Sequence, residues 1–304
     1  MGRIDELNQK LGIPGIAEVV SGNGGLPKVQ IASAAATGEI YLHGAQVTSF
    51  RPRGADDVFF LSSASLWQDG KAIRGGVPIS FPWFADKAGD PTAPAHGFVR
   101  TRSWSLDSIA TDENRITVAM SSASDESTKS WWPGDFRAIY RASFSTTLEL
   151  ELEVHNTGSA SMRFEEALHA YFKVGEVRSA RISGLDAVRY LDKTDHYREK
   201  IQQGDLEIAS ETDLVYLDTQ TPVDLSDPGL DRRIHVAKQN SRTTVIWNPW
   251  TEKARALSDL GTGEWTQLVC IEASNVLASA VEVVPGDLHR MQAAISVTVG
   301  SEIP

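Results

Sequence analysis

With one cysteine in 304 residues, Cys270, the chain has no intramolecular disulfide, so packing must hold the fold. Aliphatic neighbours in QLVCIEA suit a packed thiol better than a nucleophile. A reducing compartment, the cytoplasm, is the expectation. No apolar run approaches the roughly 18 residues of a membrane span. The opening MGRIDELNQKLGIPG lacks the apolar core of a secretory signal, and none is expected. Cations are in deficit: 29 Lys and Arg against 40 Asp and Glu give a net charge of −11. That field argues against nucleic acid or an anionic membrane as partner. Any anionic ligand would need a local cluster of arginines. Seven histidines occur, but no HExxH, paired CxxC or H-x-H, so no metal site is expected. No G-x-S-x-G nucleophile turn is present either. Long helical periodicity, internal repeats and low-complexity tracts are also missing.

What is abundant is strand signal. ITVAMSS, TTLELELEVHN, TTVIWNPW and AAISVTVG are β-branched or alternating and bounded by turn residues. In residues 147–155, Leu148, Leu150, Leu152 and Val154 fall on one face, and Glu149, Glu151, Glu153 and His155 on the other. Hydrophobic residues at 41% and charged residues at 23% fit a soluble globular protein with a sizeable core. One short amphipathic helix is expected at about 3–12, with Ile4, Leu7 and Leu11 on one side. The Gly-rich SGNGGLP lacks a following helical pattern and reads as a loop, not a phosphate cradle. The expected fold is all-β, a large antiparallel β-sandwich over residues 1–304 as one domain.

The stretch EEALHAYFKV places a histidine inside an otherwise oily run. From Met162 to Val174 the residues alternate: Met162, Phe164, Leu168, Ala170, Phe172 and Val174 share one parity. Arg163, Glu165, His169, Tyr171 and Lys173 share the other. His169 is therefore expected on a polar sheet face, away from the aliphatic layer. The run is expected to pair with residues 147–155 as a hairpin.

Four further stretches carry groups suited to acid/base chemistry or anion binding. Arg74 precedes Gly75-Gly76 in DGKAIRGGVPISFPWFAD, a constrained loop from which it could project into a cavity or pair with a surface carboxylate. In PAHGFVRTRSW, His96 and Arg100 share parity and could line one wall. Two guanidinium forks converging from separate loops suit phosphate oxygens. Asp213 stands at the entry to a possible strand, where turn chemistry is the plain alternative. Glu272 ends an aliphatic run, and desolvation there would raise its pKa toward a general base's range.

Taken together, IRGGVPISFPWF, AHGFVR, LHAYFKVGEV, SETDLVY, VIWNPW with KARALSD, and LVCIEASN resemble the glucose-6-phosphate 1-epimerases (hexose-6-phosphate mutarotases) of the aldose 1-epimerase superfamily. The strings occur in the family's order and cover most of the chain. The resemblance implies a galactose mutarotase-like β-supersandwich, no cofactor, and interconversion of the anomers of a hexose 6-phosphate; a monomer is expected rather than an oligomer. It places His169 as general acid, Glu272 as base, and Arg74 and Arg100 as substrate- and phosphate-binding arginines. Asp213 and His96 fall at sugar-binding positions, and Ala95 stands where some members carry glutamine. Two alternatives stay open: an aldose 1-epimerase for unphosphorylated sugars, and a sugar-phosphate-binding module without catalysis.

Overall fold

The computed structural model of the chain describes residues 2–300. Each long strand writes its two faces differently, and the sheets follow from that. In Thr147–Asn156, Leu148, Leu150, Leu152 and Val154 are buried in the core. Glu149 and Glu151 on the opposite face pair at 2.7 Å with Arg115 and Arg141. Nine strands form one antiparallel sheet, with Arg232–Gln239, Leu288–Val299, Thr147–Asn156 and Phe136–Phe144 adjacent at its centre. A second sheet of eight runs in the order Arg198–Ile201, Arg189–Asp192, Thr212–Tyr216, Thr243–Asn248, Leu268–Asn275, Glu166–Leu168, Ile79–Ser80. Its eighth strand, Tyr171–Lys173, also pairs with Leu268–Asn275. A four-stranded meander covers residues 17–52. The inner faces of the two large sheets share one apolar cluster, with Leu150, Phe136 and Ile295 from the first and Ile246, Ile271 and Phe172 from the second. The fold is all-β, with three short helices among the described residues. The first of these, Arg3–Leu11, lays Ile4, Leu7 and Leu11 against the core and ends at Gly12.

One pairing differs from expectation. Residues 147–156 do not form a hairpin with Met162–Val174; they pair with Phe136–Phe144 and Leu288–Val299. The later run is cut into three short strands with separate partners. Met162–Phe164 joins Val281–Val283, while Glu166–Leu168 and Tyr171–Lys173 both join Leu268–Asn275. Alternation reports which face a residue occupies but carries no information about which strand lies beside it.

Parity itself is kept, and it locates the chemistry. In the eight-stranded sheet Leu214, Ile246, Ile271, Leu168 and Phe172 point into the core. Their neighbours Asp213, Val245, Trp247, Glu272, His169 and Tyr171 line a cavity on the other face. That face is roofed by loops, and Phe81 anchors them. It is 1% exposed, with its ring centroid 5.0–5.6 Å from those of Trp132, Phe136 and Phe164. Its backbone bonds the His96 carbonyl and the Phe98 amide. Phe81→Ala is expected to cost about 3–5 kcal/mol in urea unfolding, the range for emptying a buried aromatic site.

Candidate active site

All six residues singled out by sequence, Arg74, His96, Arg100, His169, Asp213 and Glu272, line one cavity of about 330 Å³. Asp213 and Glu272 reach it from two strands, His169 from a break between two others, and Arg74, His96 and Arg100 from loops and a short turn. His169 lies in the two-residue break between Glu166–Leu168 and Tyr171–Lys173, where its amide donates to the Pro78 carbonyl at 3.0 Å. Glu272 is mid-strand in Leu268–Asn275. The two side chains meet with His169 Nε2 3.4 Å from Glu272 Oε1, at 6% and 1% exposure. Tyr171 stacks flat on the His169 ring at 4.7 Å, and His96 meets it edge-on at 5.3 Å. Nδ1 of His169 and Oε2 of Glu272 have no hydrogen-bond partner among the described residues.

Arg74 is delivered by a turn that only glycine can follow. A Cβ on Gly75 would sit 2.3 Å from the Phe60 carbonyl, and one on Gly76 2.2 Å from that of Val47. Its guanidinium donates to the Tyr171 hydroxyl at 2.9 Å and to Asp259 at 3.0 Å. Arg74 thus projects into the cavity and pairs with a carboxylate, combining what had looked like alternatives. Arg100 follows from a short 3-10 turn, Val99–Thr101. It donates to the Ala95 carbonyl at 2.8 Å, leaves its buried Nε unpaired, and has no carboxylate within salt-bridge distance among the described residues. The expected extended segment from His96 to Arg100 is absent. His96 is left-handed at φ 61, yet the turn still brings both side chains to the one cavity. Asp213, in Thr212–Tyr216, forms ion pairs with Lys193 at 3.0 Å and Lys253 at 3.8 Å.

Sequence reasoning passed over Lys193, Lys253 and Trp247 as cavity-lining groups, and Asp259 behind Arg74. Tyr171 shared the parity of His169 and was the one detectable from the pattern. Lys193 sits in a three-residue turn between short strands and has no periodic signal.

Burial dominates the electrostatics. It pushes the Glu272 carboxyl well above the usual carboxylate range, helped by the nearby charge of Asp213. It drives His169 well below its ordinary value, with Arg100 and then Arg74 adding repulsion. His96 is lowered likewise. Burial brings Arg100 down to about 10, still cationic at neutral pH. Both shifts disfavour the charged forms, so burial favours a neutral His169–Glu272 pair with one proton between them. A histidine and a carboxyl at this distance, beside arginines, are suited to moving protons on a polyol that also carries negative charge.

The strand pair holding this geometry has a buried polar clamp. Glu166, fully buried, lies opposite Asn275 in the register that also sets Leu168 opposite Ala273. Asn275 Nδ2 donates to Glu166 Oε1 at 2.8 Å, and His289 Nε2 reaches the same oxygen at 2.9 Å. Burial works to lower the His289 pKa, but the hydrogen bond and charge of Glu166 overcome it and raise it.

A β-supersandwich with a buried His–carboxyl pair and cationic side chains on one sheet face suits proton transfer on a sugar ring. The sequence profile described as aldose 1-epimerase matches residues 27–296. A protein of Salmonella typhimurium (strain LT2) named "Putative glucose-6-phosphate 1-epimerase" is 33% identical over 232 residues, covering 76% of this chain and 77% of its own. A protein of the same name from Cenchrus ciliaris is 31% identical over 296 residues, 94% of this chain and 89% of its own. The crystal structure of a "putative mutarotase (YeaD)" from Salmonella typhimurium superposes with a TM-score of 0.89 at 27% identity, covering 98% of this chain and all of that one. Galactose 1-epimerase from Lactobacillus acidophilus NCFM shares the fold, with a TM-score of 0.68 at 14% identity over 93% of this chain and 99% of its own. The chain belongs to the aldose 1-epimerase family and is an isomerase.

The clamp carries a stability prediction. A raised histidine pKa gives stabilisation that is complete below the unfolded value of about 6.5 and lost as pH rises through the folded one. Wild-type stability should decline across that window, and His289→Gln should flatten the decline. Glu166→Ala should cost about 1–3 kcal/mol by leaving the buried Asn275 amide without this acceptor. Urea unfolding at pH 6 and pH 9 checks both.

Proposed function

We propose that the chain interconverts the α and β anomers of hexose 6-phosphates, glucose 6-phosphate first, by opening and reclosing the pyranose ring without a cofactor. The observation that carries the reading is the 3.4 Å contact of His169 with Glu272 in a cavity that also contains Arg74 and Arg100. Glu272 takes the proton of the anomeric hydroxyl, and His169 delivers one to the ring oxygen. The C1–O5 bond breaks as the C1 carbonyl forms. Rotation about C1–C2 presents the other aldehyde face, and the same two groups run in reverse. Burial favours the neutral form of each group, so the working ion pair forms when a proton passes from Glu272 to His169. The substrate phosphate favours that transfer, because it neutralises the two arginines that repel a charge on His169. Arg100, with no carboxylate partner, is the stronger phosphate ligand, while Arg74 is shared with Asp259. Asp213 and His96 hold sugar hydroxyls. Each proton transfer is typically worth ~10² to 10⁴ in rate, and the phosphate anchors the ring for both.

One observation favours an epimerase of unphosphorylated sugars instead, namely that Asp259 already balances Arg74. Anomer exchange followed by NMR separates the readings. Glucose 6-phosphate should be accelerated and free glucose should not. Arg100→Ala should raise KM for the phosphate sugar at least about tenfold, since a hydrogen bond to a charged group contributes roughly 1.5–3 kcal/mol. Equal acceleration of both sugars, or an unchanged KM, would contradict the phosphate assignment.

The pH profile follows from the same pair. Below the lowered titration of His169 both groups carry protons and the base is lost. Above the raised titration of Glu272 neither does, and the acid is lost. kcat/KM should therefore show a broad plateau across neutral pH that falls on both sides. A profile with a single carboxylate limb near pH 4–5 would contradict the assignment.

A further inference from the structure

The catalytic cavity shares its outer wall with a second cleft. Phe84, Ala85, Asp86, Lys193, Asp213 and Lys253 face the cavity on one side and on the other face this cleft, of about 740 Å³. A hexose phosphate has no use for that space, since the inner cavity of about 330 Å³ already lies in the range of small-ligand pockets. The second cleft carries features of a binding surface. Aromatic side chains of Trp83, Phe84, Trp132 and Tyr197 line it. Tyr197 is 50% exposed, and the backbone holds it out at a cost: His196 and Tyr197 are both left-handed, at φ 53 and 59, and neither is glycine. Arg163, also in the wall, has no carboxylate within salt-bridge distance among the described residues and donates only to the Leu277 carbonyl at 3.3 Å. Lys87 lies over the Trp83 ring and Lys193 over Phe84, so the half-exposed Tyr197 ring is the aromatic face left beside polar donors for a carbohydrate or acylamino group to pack against.

Resting on the proposed function, the direction of this cleft names the substituent. Arg74 and Arg100 line the inner cavity only, as do His169 and Glu272. With the phosphate on the arginines, the C5–C6 edge of the sugar is at that end. With C1 at the His169–Glu272 pair, the edge left to face the shared wall is C2–C3. We infer that the second cleft receives a substituent on that edge, so that the enzyme accepts hexose 6-phosphates carrying an acylamino or ether-linked group at C2 or C3. The ring-opening chemistry is unchanged, because neither carbon takes part in it.

N-acetylglucosamine 6-phosphate is the probe, with anomer exchange read by NMR against glucose 6-phosphate. The wild-type protein should accelerate both, with kcat/KM values within about tenfold of each other. Ala88, exposed at the rim, lines the second cleft and not the inner cavity. Ala88→Trp should fill the cleft, lower kcat/KM for the acylamino sugar at least tenfold, and leave glucose 6-phosphate within twofold. Tyr197→Ala should raise KM for the acylamino sugar alone, which tests the stacking surface without adding bulk. Acceleration of glucose 6-phosphate with none of the acylamino sugar overturns the inference and leaves the proposed function standing. An Ala88→Trp protein that slows both sugars equally also overturns it, since the cleft would then serve entry only. Failure with both sugars in the wild type would instead count against the proposed function itself.

Discussion

Everything at the candidate active site depends on one strand register. Glu166 opposite Asn275 and Leu168 opposite Ala273 bring His169, just past the end of one strand, beside Glu272 in the middle of the other. The sheet supplies rigid backbone, the apolar layer on its other face fixes its position, and the fully buried Glu166 clamp keeps the register from slipping by one residue. Such a slip would turn Glu272 into the core and Ile271 into the cavity.

Burial then sets the chemistry. In water a carboxylate and an imidazole would each find their own protonation state, and near neutral pH the carboxylate would be charged. At about 1% and 6% exposure the charged forms are the costly ones. A neutral pair with one shared proton is what such a site favours, and it can become the working ion pair by internal transfer. The phosphate end of the cavity is coupled to that transfer through Arg100 and Arg74, which repel charge on His169 until an anion meets them. Holding the substrate and preparing the acid are thus the same electrostatic event.

Much of this was readable from the chain, for a physical reason. A strand's alternation reports its two environments directly, so the faces of residues 147–155 and of His169 could be assigned without knowing the fold. The resemblance to the mutarotases brought six residues into one group, and all six line one cavity. What could not be read were the non-local choices. Residues 162–174 alternate like one strand, yet they break into three, because Val281–Val283 and Leu268–Asn275 each claim a part. Asp259 neutralises Arg74 from nearly two hundred residues away, and Lys193 enters from a short turn with no pattern of its own. The pairing of Asp213 with two lysines was likewise hidden behind its reading as a turn residue.

The shared-proton pair is the central claim, and the protonation of one ring tests it directly. The measurement is the ¹⁵N chemical shift of the His169 imidazole in the ligand-free protein at pH 7, assigned by its disappearance in His169→Gln. A neutral imidazole is the predicted result, with shifts moving toward imidazolium when inorganic phosphate is added. An imidazolium in the free protein at pH 7 would contradict the account, because the pair would then be charged from the start and neither burial nor the arginines would govern its proton.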